Sequence, residues 1–117
     1  MGQYSENVVI TRHPNAASAT ANYSAVQSNT ALVSAPAAGI SIYLTDVIIS
    51  ANAEGYVTLE EDTASAQTVI VQRLNFADDG GCSITFSQPI KLTAAKDLGV
   101  TSVTTDDFSI TVCYYTE

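Results

Sequence analysis

The sequence predicts an almost all-β domain in which about eight short antiparallel strands form a sandwich or a barrel. Threonine, serine, valine and alanine dominate the 117 residues, and tryptophan is absent. β-Branched residues suit a pleated, half-buried surface. Apolar and polar residues alternate along several segments, and turn signals recur roughly every 8–12 residues. No stretch has the length and composition of a useful helix.

Residues 1–38 are predicted to form an N-terminal arm that includes the first strand or strands. Residues 7–11 could be a short strand, and residues 13–15 are typical of a turn. Residues 16–25 contain few large apolar groups, so ordering them alone would not offset their conformational entropy. They are either a floppy tail or an arm that becomes ordered against a neighbouring subunit or a larger assembly. Apolar anchors favour the arm: Val8, Val9, Ile10 and Tyr23.

Residues 39–117 are predicted to form the domain itself, because the alternation is sharper there. It is clearest in residues 40–45, and its break at Asp46 predicts a β-bulge or a strand covered on both faces. In the last strand, Phe108, Ile110, Val112 and Tyr114 are expected on one face. The remaining predicted strands cover residues 56–60, 68–72, 82–86, 90–92 and 98–101.

Turn chemistry separates these strands. Asp78-Asp79-Gly80-Gly81 is the strongest turn signal in the chain, and we expect it to close a hairpin. Pro89 is predicted to end the strand before it, since proline cannot donate to a ladder. Residues 50–55 and 61–66 are expected to form a turn and a polar loop.

Net charge limits the partners. Four basic and twelve acidic residues give a formal charge of −8, which argues against nucleic acid and against an anionic membrane surface. No apolar run approaches the ~18–20 residues that span a bilayer. The first six residues lack a basic stretch followed by an apolar core, so no secretory signal is expected. The outward residues of the strands are mainly Ser, Thr, Ala and Tyr, which is compatible with packing against another subunit.

No catalytic, cofactor or metal site is predicted. His13, the single histidine, stands beside Pro14 and is expected to be an exposed turn residue; with Arg12 it could meet an acidic partner surface. Cys82 and Cys113 are expected to be buried small hydrophobes in a reduced environment rather than a disulfide. Zinc needs about four ligands of suitable type, and one histidine with two distant cysteines falls short.

Acidic doublets at predicted turns are the best candidates for a ligand site. Calcium takes its oxygen ligands from such loops, but none of these shows the regular spacing of a dedicated calcium site. Solvated turn residues that keep the protein soluble are the favoured interpretation. The doublets are Glu60-Glu61-Asp62, Asp78-Asp79 and Asp106-Asp107.

Three segments together resemble the small jelly-roll structural proteins of tailed bacteriophages. They are residues 42–50 leading into 55–59, residues 89–101, and residues 108–115. The likeness covers about two thirds of the chain and rests on the order and spacing of these segments. The sequence departs from the family pattern at Cys113, where a glycine is common.

The resemblance implies a jelly-roll homotrimer on the virion, at the capsid surface. The leading hypothesis is a non-enzymatic decoration or cement protein that binds the major capsid protein and stabilises the head. Deleting residues 1–25 is then expected to leave a folded trimer that no longer binds capsids. Capsid contact is assigned to Val8, Val9, Ile10, Arg12 and Tyr23, and threefold contact to Tyr43, Tyr56 and Tyr115.

The main alternative is a tail-fibre or spike module that recognises a cell-surface glycan. Tyr56, Tyr114 and Tyr115 could stack on sugar rings, although the absence of tryptophan counts against this. A small carbohydrate-active or isomerase-like enzyme is disfavoured, because the strands lack a cluster of histidine and carboxylates.

Overall fold

The computed structural model describes residues 13–103 and 107–117, which form two four-stranded antiparallel sheets. This confirms the all-β prediction and the expected number of strands. The strands are β1 (Ala17–Tyr23), β2 (Thr30–Val33), β3 (Ile42–Ala51), β4 (Gly55–Glu61), β5 (Thr68–Phe76), β6 (Gly80–Lys91), β7 (Leu98–Ser102) and β8 (Phe108–Thr116). Sheet A has the order β1-β8-β3-β6, and sheet B has the order β2-β7-β4-β5. The part of the chain described contains no helix that could cross a membrane.

The core lies between the two sheets and is filled by alternate residues of the strands. In β8 the alternation is as predicted: Phe108, Ile110 and Val112 are buried, whereas Ser109 and Thr111 are half-exposed. Burying each such apolar side chain contributes about 1.5–3 kcal/mol. The other fully enclosed side chains are Ile42, Leu44, Val47, Val57, Leu59, Leu92, Leu98 and Val100.

Strand β3 contains the bulge that the sequence predicts. Its register with both β6 and β8 shifts between Leu44 and Asp46. The Thr45 hydroxyl donates to the Cys113 carbonyl oxygen at 3.0 Å and so fastens the bulge to β8. After the bulge, Val47 again points into the core. The extra residue therefore keeps both halves of the strand's apolar set on the same face.

The turn at residues 78–81 does not close a hairpin, contrary to the prediction. β5 belongs to sheet B and β6 to sheet A, so this turn carries the chain from one sheet to the other. The turn itself is present: the Gly80 amide donates to the Ala77 carbonyl at 3.1 Å, and Asp79 has a φ of 50°. The sequence of a turn determines local bending but not which sheet the next strand joins.

Pro89 does not end a strand either. β6 continues through it to Lys91 and includes part of the separately predicted strand at residues 90–92. β6 is an edge strand that pairs only with β3, and its register with β3 is interrupted between Thr85 and Ile90, opposite the bulge. Proline is tolerated at such an edge because no ladder hydrogen bond requires its missing N–H.

The described part of the predicted arm belongs to the sandwich. β1 pairs with β8, and β2 pairs with β7, so residues 17–23 and 30–33 are strands of the two sheets. The small side chains Ala19 and Ala21 pack against the core beside Tyr23. The strand predicted at residues 7–11 and the anchors Val8, Val9, Ile10 and Arg12 lie outside the described residues, as does Asp106.

Candidate functional site

The outer face of sheet A is formed by the four strands β1, β8, β3 and β6. The cross-strand register aligns its outward side chains in rows, and Ile48 lies in the middle with 47% of its surface exposed. Among these side chains, only Asp46 and Lys91 carry charge. The outward residues are Ser18, Thr20, Asn22, Tyr43, Asp46, Ile48, Ser50, Gly81, Ser83, Thr85, Lys91, Ser109, Thr111, Cys113 and Tyr115.

Hydroxyl groups on this face bond to one another across the strands. Thr20 and Thr111 share a hydrogen bond of 3.0 Å between their hydroxyl oxygens. The Thr85 hydroxyl donates to the Asp46 carboxylate at 2.7 Å. These bonds join the side chains of neighbouring strands. The middle of the face presents mainly methyl and hydroxyl groups.

One end of the outer face of sheet A carries a row of stacked rings. The Tyr115 ring lies between His13, at a centroid distance of 4.1 Å, and Tyr43, at 4.8 Å. Both pairs are nearly parallel. The Lys91 ammonium group lies 5.9 Å from the Tyr43 ring centre. Each face of the Tyr115 ring is thus covered by another ring.

The predicted turn at His13 is present, and it also fastens the start of the described chain to its end. The Ala16 amide donates to the His13 carbonyl, and the Asn15 amide donates to His13 Nδ1 at 3.1 Å. Because Nδ1 accepts this bond, the neutral ring carries its proton on Nε2, 3.4 Å from Glu117 Oε1. The Asn15 side chain donates to the Thr116 carbonyl. His13 is therefore fixed in place rather than projecting freely from a turn.

A shallow groove of about 600 Å³ lies beside the ring row. Its floor is formed by β8 around Cys113, and its sides by residues 16–18 and by Thr45 and Asp46 at the bulge. The groove forms because the side chains of Ala16, Ala17 and Ser18 are small and because the β3 bulge borders it on the other side. In the described ranges, no group of three or more His, Cys, Asp or Glu side chains is arranged to hold a metal ion.

The outer face of sheet B is organised differently, around a buried carboxylate. Glu60 is only 3% exposed, and its Oε1 accepts a 2.6 Å bond from the Thr101 hydroxyl. When the Asn29 side-chain amide is oriented with its nitrogen toward the carboxylate, that nitrogen lies 2.8 Å from Glu60 Oε1 and can donate to it. Asn29 adopts a φ of 51° in the connection between β1 and β2. This connection covers the carboxylate.

The acidic run at residues 60–62 is consequently not the solvated turn that the sequence predicts. Glu60 is buried, Glu61 accepts the Thr93 amide at 2.8 Å, and Asp62 lies 3.4 Å from the Lys96 ammonium. Asp78 similarly accepts the Glu54 amide at 2.8 Å. These carboxylates bind donors of the chain itself and tie loops together.

The three tyrosines assigned to the threefold contact do not share one surface. Tyr43 and Tyr115 lie together in the ring row of sheet A, whereas Tyr56 is on β4 in sheet B. The Arg73 guanidinium lies 4.2 Å from the Tyr56 ring centre. Tyr23, assigned to capsid contact, packs on Phe108 at 5.3 Å. Of the three tyrosines assigned to the threefold contact, Tyr43 and Tyr115 therefore lie on one patch and Tyr56 lies on another.

Both cysteines are free and half-buried, rather than fully buried as predicted. Cys82 packs against the core, and burial raises the pKa of its thiol. Burial likewise raises the pKa of the Tyr23 hydroxyl. Cys113 faces outward on sheet A. The residues that sequence analysis missed are Ile48, Asn15, Glu117 and Asn29; only Ile48, an apolar residue beside the Asp46 break, left a signal in the pattern.

Comparison with known proteins identifies no family for this chain. No protein-family model matches it, and no curated protein matches it. Among solved structures, the chain is similar to the nucleoplasmin-like N-terminal domain of Drosophila FKBP39, with a TM-score of 0.49 and 8% sequence identity. The match covers 91% of this chain and 94% of that domain. This likeness does not bear on what the chain binds.

Proposed function

We propose that this chain is a non-enzymatic structural protein of a phage virion, a homotrimer that decorates the capsid surface and binds the major capsid protein. The threefold state and the virion rest on the resemblance of residues 42–59, 89–101 and 108–115 to jelly-roll phage proteins. The order β1-β8-β3-β6 in one sheet and β2-β7-β4-β5 in the other supports a jelly-roll path, since successive strands alternate between sheets except at β4–β5.

The observation that carries the proposal is the outer face of sheet A. The chain has a net charge of −8, yet this face has one negative and one positive side chain, both near the end with the ring row. Exposed faces of monomeric sheets normally carry mixed charge for solubility. An almost uncharged surface with an exposed Ile48 at its centre suits contact with other subunits. We assign the contacts between copies to this face.

Decoration by such a trimer stabilises a head through mass action. A protein that binds only the assembled shell lowers the free energy of that shell by RT ln(1 + [L]/Kd). Three linked contacts strengthen binding, because each later contact forms at high effective concentration. We retain Val8, Val9, Ile10 and Arg12 as the capsid-contacting residues, since the His13 stack fixes the point from which this segment starts. Tyr23 stays assigned to the same contact, and its partly buried ring packs on Phe108.

The glycan-binding alternative has less support. Sugars stack on exposed aromatic faces, but His13 and Tyr43 cover both faces of the Tyr115 ring, and Arg73 lies over Tyr56. Tyr114, the third candidate for sugar stacking, is partly buried and packs against the core.

Binding to emptied phage heads tests the proposal, with a deletion of residues 1–12. The deletion has to stop there, because removing residues 1–25 would also remove β1 from sheet A. We expect the full chain to have a solution mass that is a multiple of three chains of 12.3 kDa and to label the whole head surface. The shortened chain should keep its mass and lose head binding at least tenfold. Labelling confined to tails, or equal head binding by the two forms, would contradict the proposal.

A further inference from the structure

The four edge strands of the sandwich differ in how well they are protected. Exposed edges invite pairing with another chain, and proteins usually blunt them with charge, proline, bulges or brevity. β6 has Pro89, Lys91 and an interrupted register. β5 has Arg73 and register shifts, and β2 is only four residues long with a shift of its own.

β1 has none of these protections. Its seven residues, ASATANY, include no charge, proline or glycine. Its register with β8 is unbroken from Ala17 to Tyr23, and it pairs with no other described strand. Ser18, Thr20 and Asn22 are exposed along it. β1 is therefore a straight, neutral edge that can accept another strand.

We propose that β1 pairs antiparallel with β1 of a second copy of this chain, about a twofold axis at Thr20. A second copy presents the same uncharged strand, so two chains that each carry a net charge of −8 can approach along β1 without placing like charges side by side. The result is one continuous eight-stranded sheet. The contact does not depend on the virion proposal, because it joins any two copies whether they are single chains or trimers.

The sequence of β1 is compatible with pairing to itself. With Thr20 opposite Thr20 of the second copy, Ser18 faces Asn22 and Ala19 faces Ala21, so every cross-strand pair on these positions is small or polar. The largest residue, Tyr23, falls opposite the small Ala17. No position places two bulky or two charged side chains against each other.

Thr20→Lys tests this contact by solution mass. It sets two ammonium groups opposite each other at the axis, and we expect the mass of the complex to be halved, from six chains to three or from two to one. The variant lowers the net negative charge, so a loss of association cannot come from added overall repulsion. Gln72→Lys is the matched control, with the same charge at an exposed position of β5, an edge strand of the other sheet, and should leave the mass unchanged. An unchanged mass for Thr20→Lys, or equal losses in both variants, would overturn the proposal.

Cross-linking provides a second test that does not require a weakened contact. In a Cys82→Ala, Cys113→Ser background, Thr20→Cys should form an intermolecular disulfide on mild oxidation, since directly opposite Cα atoms in antiparallel strands are about 4.5–5.5 Å apart. Gln72→Cys in the same background, on β5 of the other sheet, should stay largely uncrosslinked. Equal cross-linking at both positions, or none at Thr20, would refute the β1 contact. A positive result together with a failure to bind heads would leave the contact standing and reject the virion proposal alone.

Discussion

The outer faces of the two sheets differ in how their polar groups are covered. Sheet B covers part of its outer face with its own chain: the connection that contains Asn29 lies over the buried Glu60 carboxylate, and Arg73 lies over Tyr56, whereas Val69 stays 43% exposed. Sheet A leaves hydroxyl groups and Ile48 exposed and keeps charge to one end. Polar groups on sheet B thus stabilise the individual chain, whereas we assign the outer face of sheet A to contact with other subunits.

The physical basis of this difference is the cost of burying a charge. A buried carboxylate must be hydrogen-bonded, so Glu60 requires its donors Thr101 and Asn29 to be held beside it. Hydroxyl groups that bond to each other, such as Thr20 with Thr111, can be covered or uncovered at small cost. Substitutions on the two faces should therefore change different properties of the protein.

The largest expected effect on folding is that of Glu60→Ala. It leaves the Thr101 hydroxyl and the Asn29 amide without their shared acceptor in a buried site, and we expect the free energy of unfolding to fall by about 2–3 kcal/mol. Ser50→Ala on the outer face of sheet A is the control and should stay within about 0.5 kcal/mol. Urea denaturation of both variants measures this. Similar losses at the two sites would remove the proposed distinction.

Tyr115→Ala is expected to have a smaller effect, at the point where the outer face of sheet A does contribute to the single chain. It removes the middle ring of the row and both stacking contacts, which are each worth about 0.5–1.5 kcal/mol. We expect a loss of about 1–2 kcal/mol and a changed chemical environment for His13 in NMR spectra. Unchanged His13 resonances would show that the stack does not hold the ring in solution.

Arg73→Ala should cost less again. The guanidinium over Tyr56 is at an exposed edge strand, where cation–π contacts contribute about 0.5–1 kcal/mol. Arg73→Lys should recover part of the loss in thermal denaturation. A variant that changed the solution mass instead would place an assembly contact on sheet B.

The smallest effect concerns alkaline stability. Burial raises the pKa of both Tyr23 and Cys82, so the folded chain holds these protons more tightly than the unfolded chain does. The stability that these two groups contribute is fully present at a pH below their pKa in the unfolded chain. It is lost as the pH rises through their higher pKa in the folded chain. Between about pH 8 and about pH 10.5 we expect the double variant with Tyr23→Phe and Cys82→Ala to lose less stability than the parent protein. A steeper loss in the variant would reverse the sign that we infer.

Sequence periodicity was sufficient to predict the sandwich where large residues mark the inward face. The β3 bulge and the alternation in β8 follow directly from Ile, Leu, Val and Phe spacing. β1 was missed as part of the domain because Ala19 and Ala21 are too small to mark a face, although they pack against the core. The strand end predicted at Pro89 is wrong, because only the tertiary structure shows that β6 is an edge strand, where proline is tolerated.

The site was less predictable, because it depends on register between distant segments. Tyr43 and Tyr115 are both outward by parity, but their stacking follows from the pairing of β3 with β8. The burial of Glu60 depends on Asn29, which approaches from the connection between β1 and β2. No local pattern in an acidic run indicates that another segment covers it.

Native mass spectrometry of the wild-type chain beside Ile48→Lys and Ser50→Lys tests the central claim most directly. Both variants add the same charge to the outer face of sheet A. Ile48→Lys adds it at the centre, and Ser50→Lys adds it nearer the margin. We expect the wild type to have a mass that is a multiple of three chains and Ile48→Lys to lose that threefold state, with Ser50→Lys less affected. A wild-type protein without a threefold state, or an Ile48→Lys variant with the wild-type mass, would contradict the assignment of this face to subunit contact.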